Sequence, residues 1–355
     1  MMVERAIRFG VAGPGSIGHS HCQAIQEASG AELVAVLGRD TEKTKGFAFT
    51  YGIMPYTDLD QFLTAARLDA LTIATPSGAH LEIAVKAAQR GIHVLCEKPI
   101  ETTSTKSSAM IKACREAGVQ LGVFFQARFD PCTILAKQAI EDGRLGKILL
   151  ASCQMRWARD QAYYDSAPWR GTWELDGGGC LMNQGIHSID LLLHLAGDAL
   201  AVSAFQGPLT HQRIEVEDNL CATVRFANGA IGTIETSTSC NPGLPRRVEI
   251  SGEKGTICIE DNRIVRWQFA ETLPEDTEIR RRYTAASDSA GGASDPKAIG
   301  LSGHRQVVED FVTSIQTATA PCVSGEEGKR SVDFICSVYE SMRQGGLVVN
   351  IPRRS

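Results

Sequence analysis

Ile7-Arg8-Phe9-Gly10-Val11-Ala12-Gly13-Pro14-Gly15-Ser16-Ile17-Gly18 decides how the rest of this chain is read. The apolar run Ile7–Ala12 is too short for a helix and ends on Gly13, which marks it as a strand. The next six residues spell Gly-x-Gly-x-x-Gly, and an amphipathic pattern follows. Between a first strand and a first helix each glycine has its own task. Gly13 permits the tight turn, Gly15 lets backbone approach a pyrophosphate, and Gly18 lets helix and strand pack closely. The helix opening at Ser16 and Ile17 then offers N–H groups and a partial positive charge to phosphates.

Outward from this loop the same rhythm repeats. Strand-like runs at Leu33–Leu37, Ala70–Ala74, His93–Cys96 and Gln120–Phe125 alternate with helical patterns such as Ala79–Ala88, closed by Gly91. Such alternation, with near-continuous apolar strands, predicts a doubly wound parallel sheet covered on both faces. The rhythm changes after residue 130. Ile148–Trp157 reads as a strand and Cys180–Leu195 as one long helix. Leu220–Phe226 and Ala230–Thr238 flank Asn228-Gly229, a strong hairpin signal, and Val248–Ser251 with Thr256–Glu260 form a second pair. Residues 270–300, polar and charged, read as an excursion or mobile loop, and helices around Val307–Thr317 and Arg330–Arg343 follow. The expected organisation is a dinucleotide-binding Rossmann domain over residues 1–128. Residues 129–355 form a second, α+β domain with a mostly antiparallel open sheet.

Composition sets outer bounds. The chain has 355 residues, 43% hydrophobic and 22% charged, which excludes a disordered protein. No run approaches the ~20 apolar residues of a membrane span. Thirty-six Lys and Arg against 41 Asp and Glu give a net charge of −5, which argues against a nucleic-acid partner. Met1–Arg5 lacks the pattern of a signal peptide. Eleven cysteines without a C-x-x-C pair read as free thiols, so a cytoplasmic setting is expected.

The cofactor's ribose should meet the end of the second strand. Where an acid for NAD is expected stands Gly38, followed by Arg39, with Lys43 in the next turn. This favours NADP. Asp40 keeps NAD open, since a small shift in the turn would bring it to the ribose; the alternative is that Asp40 only caps the following helix and Arg39 points to solvent. Thr75-Pro76 ends the third of these strands at the carboxyl edge of the sheet, where ligands bind in doubly wound folds, and should wall the nicotinamide side. Cys96-Glu97-Lys98-Pro99 ends the fourth. Further on, Trp169-Arg170-Gly171-Thr172-Trp173 and Asp176-Gly177-Gly178-Gly179 lead into Asn183-Gln184-Gly185-Ile186-His187-Ser188-Ile189-Asp190.

This ordered set, from glycine loop through Thr-Pro and Glu-Lys-Pro to the glycine turn and the His-bearing helix, resembles the glucose–fructose oxidoreductase / inositol dehydrogenase / rhizopine-catabolism (Gfo/Idh/MocA) family. The resemblance covers nearly the whole chain. It implies an NAD(P)-dependent oxidoreductase of sugars, polyols or related compounds, with Lys98 catalytic. The residues fit that chemistry. Lys98 at a strand's carboxyl end can hydrogen-bond a reacting oxygen and exchange a proton with it. Asn183, His187, Asp190 and His194 form a polar stripe on an otherwise apolar helix, and a stripe of this kind needs buried partners or a lined cavity. His187 is the expected acid/base or hydroxyl-positioning residue, with Asp190 orienting it. Many relatives carry Asp four residues before the His, and Asn183 stands there instead. An amide cannot act as a general base, so its role shifts to holding a hydroxyl or orienting the sugar.

Glu97, Gln126, Trp169 and Arg170 are further expected contacts of cofactor or substrate. Arg128 is a possible contact too. Arg156 and Arg159 read either as an anion site for a larger substrate or as a solvated face. No acidic cluster supports a metal site. A homodimer or homotetramer is expected, since an open antiparallel sheet needs one face covered. Two other functions stay open at this point: an NAD-assisted glycoside hydrolase or lyase, and a dinucleotide-sensing regulator without catalysis.

Overall fold

The computed structural model describes residues 5–207, 209–284 and 301–352. Contacts divide the chain into two compact units. The first comprises residues 1–126 and 300–329, the second 127–299 and 330–355. Thus the helix Leu301–Thr317 belongs with the nucleotide-binding unit, whereas its place in the sequence assigned it to the second domain. It packs on the helix Ser16–Glu27, and its Val308, Phe311 and Val312 are buried. Periodicity reveals such a helix but not its partner.

The first unit is a six-stranded, all-parallel sheet of order β3-β2-β1-β4-β5-β6. Its strands are β1 (Ile7–Ala12), β2 (Ala31–Leu37), β3 (Met54–Tyr56), β4 (Ala70–Ile73), β5 (His93–Cys96) and β6 (Leu121–Val123). Chain order reverses between β1 and β4, the point where ligands bind in such sheets. The edge strand β3 escapes sequence reading because it is three residues long with Pro55 at its centre. Phe9, Val11, Ile73, Val94 and Val123 are fully buried in the sheet.

The second unit is built on an eight-stranded sheet of order β13-β12-β11-β7-β10-β9-β8-β14. These are β7 (Ile148–Arg156), β8 (Ala199–Gln206), β9 (Asn219–Phe226), β10 (Ile231–Ser237), β11 (Arg247–Gly252), β12 (Gly255–Glu260), β13 (Arg263–Phe269) and β14 (Val349–Asn350). All pairs are antiparallel except β7 with β10. Along β9, Leu220, Ala222, Val224 and Phe226 turn inward while Cys221, Thr223 and Arg225 are exposed. The helix Ile186–Ala196 packs against β7 and β11.

Two local expectations need correction. Within 270–300, Glu275–Tyr283 is a helix rather than a loop. Asp276 holds it: the buried carboxylate accepts from Arg144 at 2.8 Å and from the Trp267 indole at 2.6 Å. So charged a segment shows no apolar periodicity, which hides it from a reading of the sequence. Residues 285–300 lie outside the described ones. The presumed single helix Cys180–Leu195 is a π-helical segment, Cys180–Gly185, followed by the α-helix Ile186–Ala196. All eleven cysteines are free thiols.

Candidate functional site

In the first unit, the loop between β1 and α1 (Ser16–Glu27) has the shape its glycines demand. Gly13 has φ +117°, and a Cβ there would meet the Ala74 carbonyl at 2.5 Å. A Cβ on Gly18 would meet the Gly13 carbonyl at 2.1 Å. Gly15 is the opposite case, since a Cβ there would touch nothing within 4 Å. Open space therefore lies beside the backbone that opens α1. No side chain caps α1 and its first turn carries no acid, so its leading N–H groups and Ser16, which is exposed, are available to an anion. A dinucleotide pyrophosphate fits this cradle.

At the ribose position a side chain on Gly38 would strike Thr44 Oγ1 at 2.2 Å and Pro14 Cγ at 2.6 Å, which explains why no acid stands there. Asp40 caps α2 (Thr41–Tyr51), its carboxylate accepting from the Lys43 N–H at 2.8 Å. Arg39 and Lys43 are exposed.

The ends of β4 and β5 are tied together by a histidine that sequence reading left without a role. His80 is buried; its Nε2 meets the Thr75 carbonyl at 3.0 Å and its Nδ1 the Pro99 carbonyl at 3.1 Å. Pro76 opens a short 3₁₀ turn, and the Lys98–Pro99 bond is cis. Lys98 is half-buried, and its backbone N–H donates to Glu97 Oε2 at 2.9 Å. Glu97 lies inside the unit rather than lining its surface. His21 Nε2 meets its Oε1 at 3.1 Å, and the His21 ring stacks on Phe124. Burial opposes the charge on Glu97, but the His21 hydrogen bond and charge, with Lys98 and His304 nearby, outweigh it and hold the carboxyl at about 2. The buried Thr75 Oγ1 and Gln126 Oε1 have no hydrogen-bond partner among the described residues, and a polar cofactor edge would supply one.

In the second unit, Asp176 and Glu217 organise the segment that carries Asn183 and His187. Buried Asp176 accepts from the Gly171 N–H at 2.9 Å and, through a short contact, from the Asn183 amide. The amide at this position thus answers a carboxylate already in place. Glu217, fully buried, accepts from the N–H groups of Gly179 and Leu181 at 2.9 Å each and from the Tyr339 hydroxyl at 2.9 Å. Burial pushes its carboxyl up to about 7 against these hydrogen bonds. A Cβ on Gly179 would meet the Glu217 carbonyl at 1.7 Å and one on Gly178 the Tyr339 hydroxyl at 2.1 Å, so the glycine run lets this carboxylate and phenol close on the turn.

His187 is half-buried one turn beyond. Asp190 is fully buried and accepts from Arg128 at 2.6 and 2.8 Å. Arg156 is committed to Glu235, so its positive charge is already answered within the fold. Trp169 and Arg170 come together with Tyr163, the guanidinium lying 4.5 Å from the Trp169 ring and 4.2 Å from the Tyr163 ring. Glu217, Tyr163 and Gln184 also went unnoticed in the sequence. Glu217 contacts Leu181, 36 residues away, and no local spacing marks that pairing.

Fold and glycine cradle define a dinucleotide-binding protein, and its relatives place it among NAD(P)-dependent dehydrogenases acting on CH–OH groups. The family model "Oxidoreductase family, NAD-binding Rossmann fold" matches residues 7–125, and "GFO/IDH/MocA C-terminal domain" matches residues 133–258. The WlbA dehydrogenase from Bordetella pertussis, solved with NADH and UDP-GlcNAcA, is 36% identical with a TM-score of 0.89, over 100% of both chains. Levoglucosan dehydrogenase of Pseudarthrobacter phenanthrenivorans is 30% identical over 77% of this chain and 78% of its own length. Inositol 2-dehydrogenase of Rhizobium meliloti is 27% identical over 95% of this chain and 97% of its own. The chain belongs to the Gfo/Idh/MocA oxidoreductase family. Among the described residues no helix is long and apolar enough to cross a membrane.

Proposed function

We propose that this chain oxidises a hydroxyl of a UDP-linked, acidic N-acetyl sugar of the UDP-GlcNAcA class. The observation that carries this reading is the 36% identity, over the full length of both chains, with a dehydrogenase solved with NADH and UDP-GlcNAcA. A nicotinamide held by this cradle would supply the hydride acceptor. The protein's residues do the rest. The N-terminal N–H groups of α1 hold the pyrophosphate beside Gly15, with Thr75, Pro76 and Gln126 bounding the cofactor. Lys98, in the first unit, is the residue that hydrogen-bonds the substrate hydroxyl and exchanges its proton, and His187 is the candidate acid/base residue of the second unit. Asn183, tethered to Asp176, orients the sugar and moves no proton. Glu97 is a positioning residue for Lys98, acting through the backbone N–H it accepts.

For the coenzyme we keep NADP over NAD. Asp40 is spent on capping α2, while Arg39 and Lys43 are exposed beside it. The NADH in the Bordetella pertussis complex is the opposing observation. Titration with both coenzymes decides: tighter NAD binding, lost in Asp40→Ala and kept in Arg39→Ala, overturns the assignment. We also propose a homodimer or homotetramer, supported by the exposed Leu150, Ile231 and Val348 on the outer sheet face. Light scattering of the purified protein tests it. The substrate test is a nicotinamide-absorbance assay with UDP-GlcNAcA, UDP-GlcNAc, inositol and levoglucosan. Turnover of a free polyol with none of UDP-GlcNAcA would refute the assignment.

A further inference from the structure

We propose that Arg170, Tyr163 and Gln184 form a subsite for a negatively charged oxygen group of the substrate, a carboxylate or a phosphate. The inference rests on the acidic nucleotide-sugar reading above and names the residues that would recognise the acid. All three belong to the second unit.

The argument is a count of donors against acceptors. Arg170 Nη1 donates to the Tyr163 hydroxyl oxygen at 2.7 Å and its Nε to Ser166 Oγ at 3.1 Å. Every hydrogen-bond partner the guanidinium has among the described residues is therefore neutral. Gln184 Nε2 donates to the same Tyr163 oxygen at 2.8 Å. One phenolic oxygen thus takes two donors, and its own O–H must point elsewhere. A guanidinium carries five N–H groups, so most of those on Arg170 are unspent. Gln184 is buried, and its Oε1 has no hydrogen-bond partner among the described residues. Rotating that amide would let Tyr163 donate to Oε1, but it would free the NH₂ instead. Donors exceed acceptors in either arrangement.

Charge points the same way. The Arg159 guanidinium lies 5.6 Å from the Tyr163 ring and that of Arg170 4.2 Å from it. The arginine fork of Arg170 suits carboxylate or phosphate oxygens. Burial pushes the Tyr163 phenol up, so it stays a donor at neutral pH. Gln184 follows Asn183 directly in the π-helical segment, so the subsite shares a segment with a candidate substrate contact.

The experiment measures binding of UDP-GlcNAcA, UDP-GlcNAc and UDP to the coenzyme-loaded protein, with turnover of the first recorded in parallel. Arg170→Gln should weaken UDP-GlcNAcA binding about 10–100-fold, the usual worth of hydrogen bonds to a charged group. Loss confined to UDP-GlcNAcA assigns the carboxylate; equal loss for all three ligands assigns the phosphates. Arg170→Lys should recover only part of the affinity, because it restores charge without the fork. Should Arg170→Gln fail to fold, Tyr163→Phe, which removes a single hydroxyl, is expected to weaken the same ligands several-fold. Unchanged binding of all three ligands in a folded variant, with wild-type turnover intact, overturns the subsite and leaves the proposed function standing. Arg170-dependent binding without turnover by the wild type does the reverse. No binding of any ligand by the wild type overturns both.

Discussion

Glu97 in the first unit and Glu217 in the second are both buried, and each accepts backbone N–H groups beside a segment that carries a candidate catalytic or substrate-binding residue. Their carboxyls nevertheless move in opposite directions, Glu97 down to about 2 and Glu217 up to about 7. Burial is the largest influence on both and raises both, so it cannot explain the difference. The partners do. Glu97 has the His21 ring against it and Lys98 and His304 close by, whereas Glu217 has two backbone N–H groups and the Tyr339 hydroxyl. A nearby cation reverses the effect of desolvation, and neutral donors only reduce it. The Lys98 turn thus rests on a permanently ionised support. The turn leading to Asn183 and His187 rests on one that titrates near neutrality.

The largest expected effect tests whether these glutamates are supports at all. Lys98→Ala and His187→Ala should each lower kcat by about 10²–10⁴-fold while coenzyme still binds, because the pyrophosphate contacts come from the glycine loop. Glu97→Gln and Glu217→Gln should cost less. Steady-state kinetics of the four variants with one substrate would break the comparison if either glutamine variant fell below Lys98→Ala.

Stability against pH should separate the two glutamates next, each by on the order of a few kcal/mol across its window. Glu97 has a depressed folded value, so its contribution is complete above the ordinary 4.5 and is lost as pH falls through about 2. Glu97→Gln should flatten the acid limb and destabilise the protein at neutral pH. Glu217 has a raised value, so its contribution is complete below 4.5 and is lost as pH rises through about 7. Glu217→Gln should remove that decline. Urea unfolding of both variants from acid to mildly alkaline pH is the measurement, and parallel slopes for the two would end the distinction.

The same comparison shows why the two units were unequally legible in the sequence. In the first, the site is built from local turns. Gly13 needs its positive φ, Gly18 its close approach, and Lys98 follows two residues after a strand four residues long, so short stretches of chain carry the reading. Even there His80 and His21 stayed hidden, because each is defined by a partner 19 or 76 residues away. In the second unit almost every support is distant. Glu217 reaches back to Leu181, Tyr339 to Glu217, and Arg128 forward to Asp190. The polar stripe was counted at 3.6 residues per turn, but Cys180–Gly185 is π-helical, which re-phases its start. The antiparallel meander, by contrast, was plain, since a period of two and an Asn-Gly turn are local properties.

Asn183→Asp carries the comparison to its finest point, because it sets a second carboxylate directly against Asp176. The Asn183 amide donates to Asp176, whose other oxygen is taken by the Gly171 N–H. An aspartate would set a second carboxylate against the first and remove the donor between them. Two carboxylates in hydrogen-bonding contact share one proton, and the first ionisation of the pair leaves little room for a second. We expect kcat/KM to fall about tenfold at alkaline pH, the size of one hydrogen bond to a charged group, and to recover as pH falls and the shared proton returns. The pH profile of the variant against wild type is the measurement. Removing the competing acid with Asp176→Asn in the Asn183→Asp background should restore activity at high pH, with the two residues exchanged. A double variant no better than Asn183→Asp alone would show that the amide's work is on the substrate, and that Asp176 merely lies beside it.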